Sequence, residues 1–469
     1  MSTARHAVVI GASFAGLCAA RVLGDFFDRV TIVERDALPS GAEATRHRPG
    51  VPQGRHVHAL LARGLTELEH LFPGFRADAL ERGAIEMDMG LEAAFLRVYG
   101  WAPRLDFGVP LLVASRWLFE AAVRKRCLAT ARLEVRDRTT AIGLSTAARD
   151  GCLRVDGVRV SGEGGDATLP VELVVDASGR SSKAPEWLEA IGVAPPEETV
   201  VDGHWGYSTR WYRAPAELPK RWWWRAIIIE GRPPDMLRGG VLIPIEDGQW
   251  MVTVGGASGE YPPTDEGGFM AALANLRSPL IAEAVALAQP ISPIYGTRTM
   301  SNRYRHYERW GRSVGGFIAV GDAVCAFNPI YGQGMTTAAL CAPALRDALQ
   351  RTRGGALPAA FFARQARAQR DAWTLATGAD LRLRKTTGKR PLAAGIVAPY
   401  FDALVLATRD DPVVHKRFFD VLQMLKPVSS FFAPGIVARV AADVLRKRFG
   451  GERAEPIPTT PDAGVVTAG

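Results

Sequence analysis

Four short apolar runs, each closing on acids or glycines, organise this chain. Ala7 to Ile10 leads into Gly11-Ala12-Ser13-Phe14-Ala15-Gly16 and then a helical pattern over Leu17 to Leu23. Arg29 to Val33 follows and closes on Glu34-Arg35. Val171 to Val175 ends in Asp176-Ala177-Ser178-Gly179-Arg180. Phe317 to Val320 runs into Gly321-Asp322, an irregular link holding Phe327 and Pro329, and Gly332-Gln333-Gly334 before a helix that opens near Met335. Continuous apolar runs bounded by turn residues predict strands buried on both faces, as in a parallel sheet.

Between these runs the pattern changes. Ile85 to Tyr99 and Leu111 to Val113 predict strands, and Ser115-Arg116 opens a helix over Trp117 to Cys127. Leu133 to Val135 and Arg154 to Val160 alternate like the strands of a hairpin-rich sheet. Residues 186–296 are rich in tryptophan and tyrosine, with strand-like runs separated by Gly, Pro and Asp. They predict a mostly antiparallel sheet facing a cavity. Beyond the helices at Thr336 to Gln350 and Ala359 to Leu375 the chain is helix-rich, and it ends in a Pro/Thr/Gly-rich stretch. The fold class expected is α/β: a Rossmann-like domain from 1–75, 100–185 and 297–370, an interleaved antiparallel-sheet substrate domain from 76–99 and 186–296, a C-terminal helical region (371–450) and a flexible tail (451–469).

Strand, glycine turn, helix, strand and terminal acid form a dinucleotide-binding unit. Gly11 serves the tight turn and Gly16 the close packing of helix on strand; Ser13 replaces the second glycine of the fingerprint. Glu34 can accept both ribose hydroxyls, which favours FAD or NAD over a 2′-phosphorylated nucleotide. Asp322 beside its turn can accept from sugar-like hydroxyls. Gly332 to Gly334 expose backbone N–H groups at a helix start, where the dipole favours negative charge. Together they suit the ribityl chain and pyrimidine edge of a flavin, although a plain strand-turn-helix connection would read the same way. In Arg46 to Gly64, Arg48 could meet phosphates and Gln53 or His56 a flavin ring; the alternative is a basic surface loop. Arg116 points back to the nucleotide face or is a surface arginine. The tryptophans, Trp222 and Trp224 among them, line a substrate cavity or fill a sheet core.

Composition adds bounds. A chain of 469 residues exceeds one compact core. The net charge of +8 is spread along the chain without a nucleic-acid module, which argues against nucleic acid as a partner. Five widely spaced cysteines show no zinc spacing and predict reduced thiols in a cytoplasmic protein, with no metal. The first residues enter a strand at once, so no signal peptide is expected, and no apolar run reaches the length of a membrane span.

In combination, the motifs Gly11-x-Ser13-x-x-Gly16 with Glu34-Arg35, Asp176 to Arg180, and Gly321-Asp322 with Pro329 and Gly332-Gln333-Gly334 resemble those of FAD-dependent monooxygenases of the para-hydroxybenzoate hydroxylase fold. The resemblance spans roughly residues 5–370. It implies FAD held by Gly11, Ser13, Phe14, Ala15, Gly16, Glu34, Arg35, Arg48, Gln53, His56, Arg116, Asp176, Gly179, Asp322, Pro329, Gly332, Gln333, Gly334 and Met335. Trp222, Trp224, Phe327 and Pro329 would face substrate, and no side chain is required as catalyst because the flavin, O2 and NAD(P)H carry the chemistry. Within the family, GVPQGRHVHALLARG and the helical C-terminus are similar to bacterial polyether epoxidases of the lasalocid and monensin type. That similarity implies epoxidation of a large apolar polyketide alkene through a flavin C4a-hydroperoxide. A flavin reductase and an acidic carrier protein bearing the substrate are the partners it suggests. An aromatic hydroxylase, a prenyl-chain reductase, a halogenase and a flavin-free lipid chaperone share the architecture. The halogenase motif W-x-W-x-I-P fails at Trp222-Trp223-Trp224-Arg225-Ala226-Ile227.

Overall fold

The apolar runs pair side by side. In the computed structural model, which describes residues 4–39, 47–130, 132–149, 152–298, 300–310, 314–352, 354–390, 394–449 and 460–466, a five-stranded parallel sheet has the order Phe317–Ala319, Leu173–Asp176, His6–Ile10, Arg29–Val33, Leu133–Arg136. Val8, Val9, Val30, Ile32, Val174 and Ile318 are fully buried, as expected where helices cover both faces. Helix Phe14–Leu23 lies against helix Gly334–Arg351, which continues through Pro343 and packs on Leu357–Asp380.

Leu133–Arg136 departs from the hairpin expected for it. It is the outer strand of the parallel sheet, half-buried along its length. An edge strand shields one face only, and its alternating pattern is the same as a hairpin's. The hairpin sheet is formed instead by Thr140–Arg149, Cys152–Gly162 and Gly165–Pro170. The run Ile85 to Tyr99 is broken as well. Asp88 accepts hydrogen bonds from the N–H groups of Gly90 and Leu91 and caps a helical turn, Met89–Glu92. Ile85–Met87 pairs with Leu111–Val113, while Ala93–Arg97 joins the second domain.

The second domain is an eight-stranded sheet in which Gly206–Arg213, Gln249–Gly256, Arg238–Ile245 and Ala226–Ile229 run antiparallel, and Ala93–Arg97 adds in parallel. Tyr295–Thr297 pairs with Gly206–Arg213. Its outer face is covered by helices Glu266–Ala274 and Leu280–Ala286, whose Phe269, Leu273 and Ile281 are fully buried in a separate core. Helices Ala394–Ala407, Pro412–Leu422 and Pro434–Phe449 share a third core around Leu404, Phe418 and Phe431. In the last stretch, Val465–Val466 pairs with Arg104–Leu105, while residues 451–459 lie outside the described residues, as does Arg46 of the basic loop. Among the described residues no helix is long and apolar enough to cross a membrane, and no group of three His, Cys, Asp or Glu could hold a metal. The five cysteines are unpaired thiols.

Candidate active-site cleft

A cleft of about 1090 Å³ opens at the C-terminal ends of the parallel strands, the place where open α/β sheets bind ligands. Gly11, Ser13, Phe14, Ala15, Glu34 and Arg35 line it at one end. Arg48, Arg116, Gly179 and Asp322 line its middle wall, and Gln53, His56, Phe327, Pro329, Gly332, Gly334 and Met335 also face it. Gly16, Asp176, Gln333, Trp222 and Trp224 do not line it.

Gly11 adopts φ +104°, and its N–H donates to the Val33 carbonyl. A Cβ on Gly16 would stand 1.8 Å from the Gly11 carbonyl oxygen, so Gly16 is fixed by packing rather than by direct exposure to a ligand. Ser13 does not cap its helix. Its hydroxyl turns inward, donating to Glu120 at 3.1 Å and accepting from Arg116 Nη2 at 2.7 Å. The first N–H groups of the helix therefore stay open to the cleft, the arrangement that binds phosphate.

Beneath them lies a buried ionic cluster. Glu120 accepts from Arg48 Nε at 2.8 Å and pairs with Arg116 and Arg124 at 3.3 and 3.5 Å. Arg48 also reaches Glu34 and Asp36, both at 3.2 Å. Burial works to raise the Glu120 carboxyl, and Arg116, Arg48 and Arg124 overcome it, so its pKa lies below the ordinary value. Burial pushes Arg116 down to about 10. Arg116 Nη1 is fully buried and, despite its charge pairing, makes no hydrogen bond within the protein. Arg116 beside the open helix start, with a buried donor that makes no hydrogen bond within the protein, fits a diphosphate. Glu120 is the residue that the sequence reading missed. Its signal was the four-residue spacing from Arg116 on the helix Arg116–Leu128 that Ser115 caps. Glu34 already accepts from Ala12 N and Asp36 N, one bond on each oxygen. A carboxylate has about four lone-pair sites, which leaves capacity for ribose hydroxyls.

Asp322 follows Gly321 (φ +60°) and receives no hydrogen bond among the described residues. Burial raises its carboxyl, opposed by Arg180 and Arg116. Arg180 holds the turn by donating to the carbonyls of Ser301 and Phe327 at 2.6 and 2.8 Å. A Cβ on Gly334 would meet only Asp322 Oδ1, at 4.0 Å, so the helix start is bare to an approaching ring. The unpartnered acceptor and the exposed helix N-terminus fit the polyol and ring of a flavin.

The turn Pro329–Tyr331 between them is pinned from behind. Fully buried Asp380 accepts from Tyr331 Oη at 2.6 Å, Trp205 Nε1 at 2.8 Å and Asn302 Nδ2 at 2.6 Å. Asn302 Oδ1 accepts from Asn328 N, and Asn328 Oδ1 from Tyr207 Oη at 2.7 Å. Replacing Asp380 with Ala orphans the buried Asn302 amide and two part-buried donors, Tyr331 Oη and Trp205 Nε1. The variant is expected to lose roughly 3 kcal/mol of stability in urea unfolding, with Tyr331→Phe losing about 1 kcal/mol.

The basic loop is not a free surface loop along its described length. The turn Pro52–Arg55 leads to His56, whose Nδ1 shares a 2.8 Å hydrogen bond with Thr209 Oγ1 of the second domain. Burial, then Arg55, pushes His56 down to about 4; burial, then Arg116, pushes His58 to about 3. Asp176 is fully buried and accepts from Ser178 and Ser182, so it ties the Asp-Ala-Ser-Gly turn instead of facing the cleft; Gly179, at φ +80°, does face it. Trp222 and Trp224 stack at 5.7 Å against the core of the second domain. Phe327 alone of the three expected substrate aromatics faces the cleft, together with Tyr207 and Tyr295. A run of tryptophans marks a sheet, but the side it buries depends on which helices cover it.

The fold is shared with solved structures. A flavin-dependent brominase, Bmp2, superposes with TM-score 0.65 over 94% of this chain and 100% of its own, at 15% identity. The p-nitrophenol 4-monooxygenase PnpA from Pseudomonas putida DLL-E4 superposes with TM-score 0.63 over 90% and 99%, at 18% identity. The anhydrotetracycline hydroxylase OxyS from Streptomyces rimosus gives 0.59 over 90% and 76%, at 18% identity. The chain has the fold of the flavin-dependent monooxygenases. No family model matches it. It is 33% identical over 478 residues to Protein Rv3254 of Mycobacterium tuberculosis (strain ATCC 25618 / H37Rv), covering 97% of each, and belongs to the family of that protein.

Proposed function

We propose that this protein is an FAD-dependent monooxygenase that places one atom of O2 on a large apolar substrate, and that the reaction is epoxidation of an alkene of the linear polyketide kind. Electrons come from NAD(P)H, directly or through a separate reductase. When bound, reduced FAD supplies the activation of O2. The residues of the chain do the rest. The helix start after Ser13, with Arg116, holds the diphosphate, Glu34 the ribose, and Asp322 the polyol. The N–H groups at Gly334 and Met335 favour negative charge at the ring edge. Phe327, Met300, Ile294 and Val57, all lining the cleft, exclude water and fit an apolar ligand.

The observation that carries the epoxidation reading is the side of the cleft formed by the loop and second domain. His56 and His58 stay neutral down to about 4 and 3. Burial, then Asp380, raises the Tyr207 phenol well above its ordinary value. The two imidazoles are too weakly basic, and the Tyr207 phenol too firmly protonated, to take a proton from a phenol, and an alkene needs none removed. Hydroxylation of an aromatic ring is the second reading, favoured by the names of two of the structural relatives. The test is mass spectrometry under 18O2 with NADPH. Linear polyenes should gain one labelled oxygen per turnover, without hydroxylation of simple phenols. Labelled phenol products with unreacted polyenes would sink the epoxidation reading.

A further inference from the structure

We propose that Arg55 anchors the anionic end of the substrate, which is then a long apolar molecule carrying a terminal carboxylate. The proposal rests on the monooxygenase reading above.

The cations of the cleft are mostly accounted for. Arg48 pairs with Glu34, Asp36 and Glu120, and Arg116 with Glu120. Arg303 and Arg305 share Glu198, and Lys183 pairs with Glu186. Arg180 donates to two carbonyls. Arg35 lies exposed beside Glu34 at the nucleotide end. Arg55 lines the cleft, yet its guanidinium has no carboxylate or carbonyl partner among the described residues. It lies 4.7 Å over the Tyr295 ring, which also lines the cleft. A half-buried guanidinium on an aromatic face keeps its fork of donors free, and a carboxylate matches that fork in a bidentate pair.

The cation is held in place before any ligand arrives. The Arg55 carbonyl accepts from Trp211 Nε1 at 3.0 Å, and Trp211 stacks on Trp117 at 5.0 Å. Along one face of the strand Gly206–Arg213, Tyr207 meets Asn328, Thr209 meets His56 and Trp211 meets Arg55. Tyr295 pairs directly with Thr209. The loop therefore runs along the strand, away from the Pro329 turn. At about 3.3 Å per residue, the cation lies roughly 7–13 Å from Tyr207 along this face. A substrate fixed at Arg55 would pass over Tyr295 and reach the ring end near Pro329 with its interior, not its acid terminus.

The experiment titrates the FAD-loaded protein with arachidonic acid and with its methyl ester, following the flavin absorbance, in wild type, Arg55→Ala and Arg55→Lys. The acid is expected to bind at least about tenfold more tightly than the ester to wild type, since charge-assisted bonds are worth more than neutral ones. Arg55→Ala should erase the difference and Arg55→Lys should restore part of it. Equal affinities in wild type, or no binding of the acid, overturn the proposal. A second arm measures anaerobic flavin reduction by NADPH. The proposal expects the same NADPH dependence in wild type and Arg55→Ala. A weakened dependence with acid and ester still discriminated would assign Arg55 to the reductant's phosphates and overturn it too. Protein that cannot be loaded with FAD removes the monooxygenase reading itself, a different failure from loss of acid preference in loaded protein.

Discussion

Gly16→Ala is expected to cost at least about 3 kcal/mol of stability and to yield protein that cannot retain FAD. The added methyl would stand 1.8 Å from the Gly11 carbonyl oxygen and 3.3 Å from the Ala177 Cβ. The first of these neighbours is backbone, and Gly11 is itself hemmed in, since a Cβ there would stand 2.6 Å from the Ala177 carbonyl oxygen. The helix Phe14–Leu23 must then move off the strand His6–Ile10, and its N-terminus leaves the position where a diphosphate can reach it. Gly334→Ala is the informative contrast. Its methyl meets nothing closer than Asp322 Oδ1 at 4.0 Å, so the urea midpoint should stay near that of wild type. On the proposed reading FAD affinity should nevertheless fall, because the methyl would stand in the open space at the helix start that the ring is proposed to fill. Urea unfolding and FAD titration of both variants check the pair. A stable, FAD-loaded Gly16→Ala protein would contradict the packing argument.

Glu120→Gln carries the second large effect. The carboxylate is the shared partner of Arg48, Arg116 and Arg124 and the acceptor for Ser13. Removing its charge takes away the carboxylate that buried Arg116 pairs with, while Arg48 keeps Glu34 and Asp36, and breaking such a buried pair costs roughly 3–5 kcal/mol. It also frees Ser13 and Arg116 to rotate, so FAD retention should fall with stability. The pH dependence has a definite sign. The folded pKa of Glu120 lies below the ordinary 4.5. Its contribution is therefore complete above that value and lost as pH falls through the lower, folded one. The stability gap between wild type and Glu120→Gln, measured by urea unfolding at several pH values, should be constant near neutrality and narrow only in acid. A gap already closing between pH 7 and 5 would point to a different group.

Local pattern made the parallel sheet legible. Val8, Val9, Val30, Ile32, Val174 and Ile318 are apolar because both faces of their strands are covered, and that condition is written into consecutive residues. The turn glycines at 11, 179 and 332 were legible for a similar reason, since each takes a positive φ that other residues resist. The edge strand Leu133–Arg136 was not, because an alternating pattern records how many faces are buried and not which neighbour does the pairing. Trp222 and Trp224 misled in the same way: their size predicts burial, and burial in a core looks identical to burial against a ligand.

By itself, the amino-acid sequence determined the order of the nucleotide unit, the position of Gly16, the acid at Glu34 and the bare helix start at Gly332 to Met335. Each is marked by a short local motif of glycines, a terminal acid or an apolar run. Only the tertiary structure decided which partners Ser13, Asp176, Glu120 and Asp380 meet. The partners of Ser13 and Asp380 lie far along the chain, at Glu120 and Arg116 in one case and at Trp205, Asn302 and Tyr331 in the other. Hydrogen bonding and desolvation depend on distance in space, which separation along the chain does not reveal. Asp322 shows both sides: its place after Gly321 is local, while its lack of a hydrogen bond among the described residues appears only in the folded chain, where nearby Arg180 donates to the carbonyls of Ser301 and Phe327 instead.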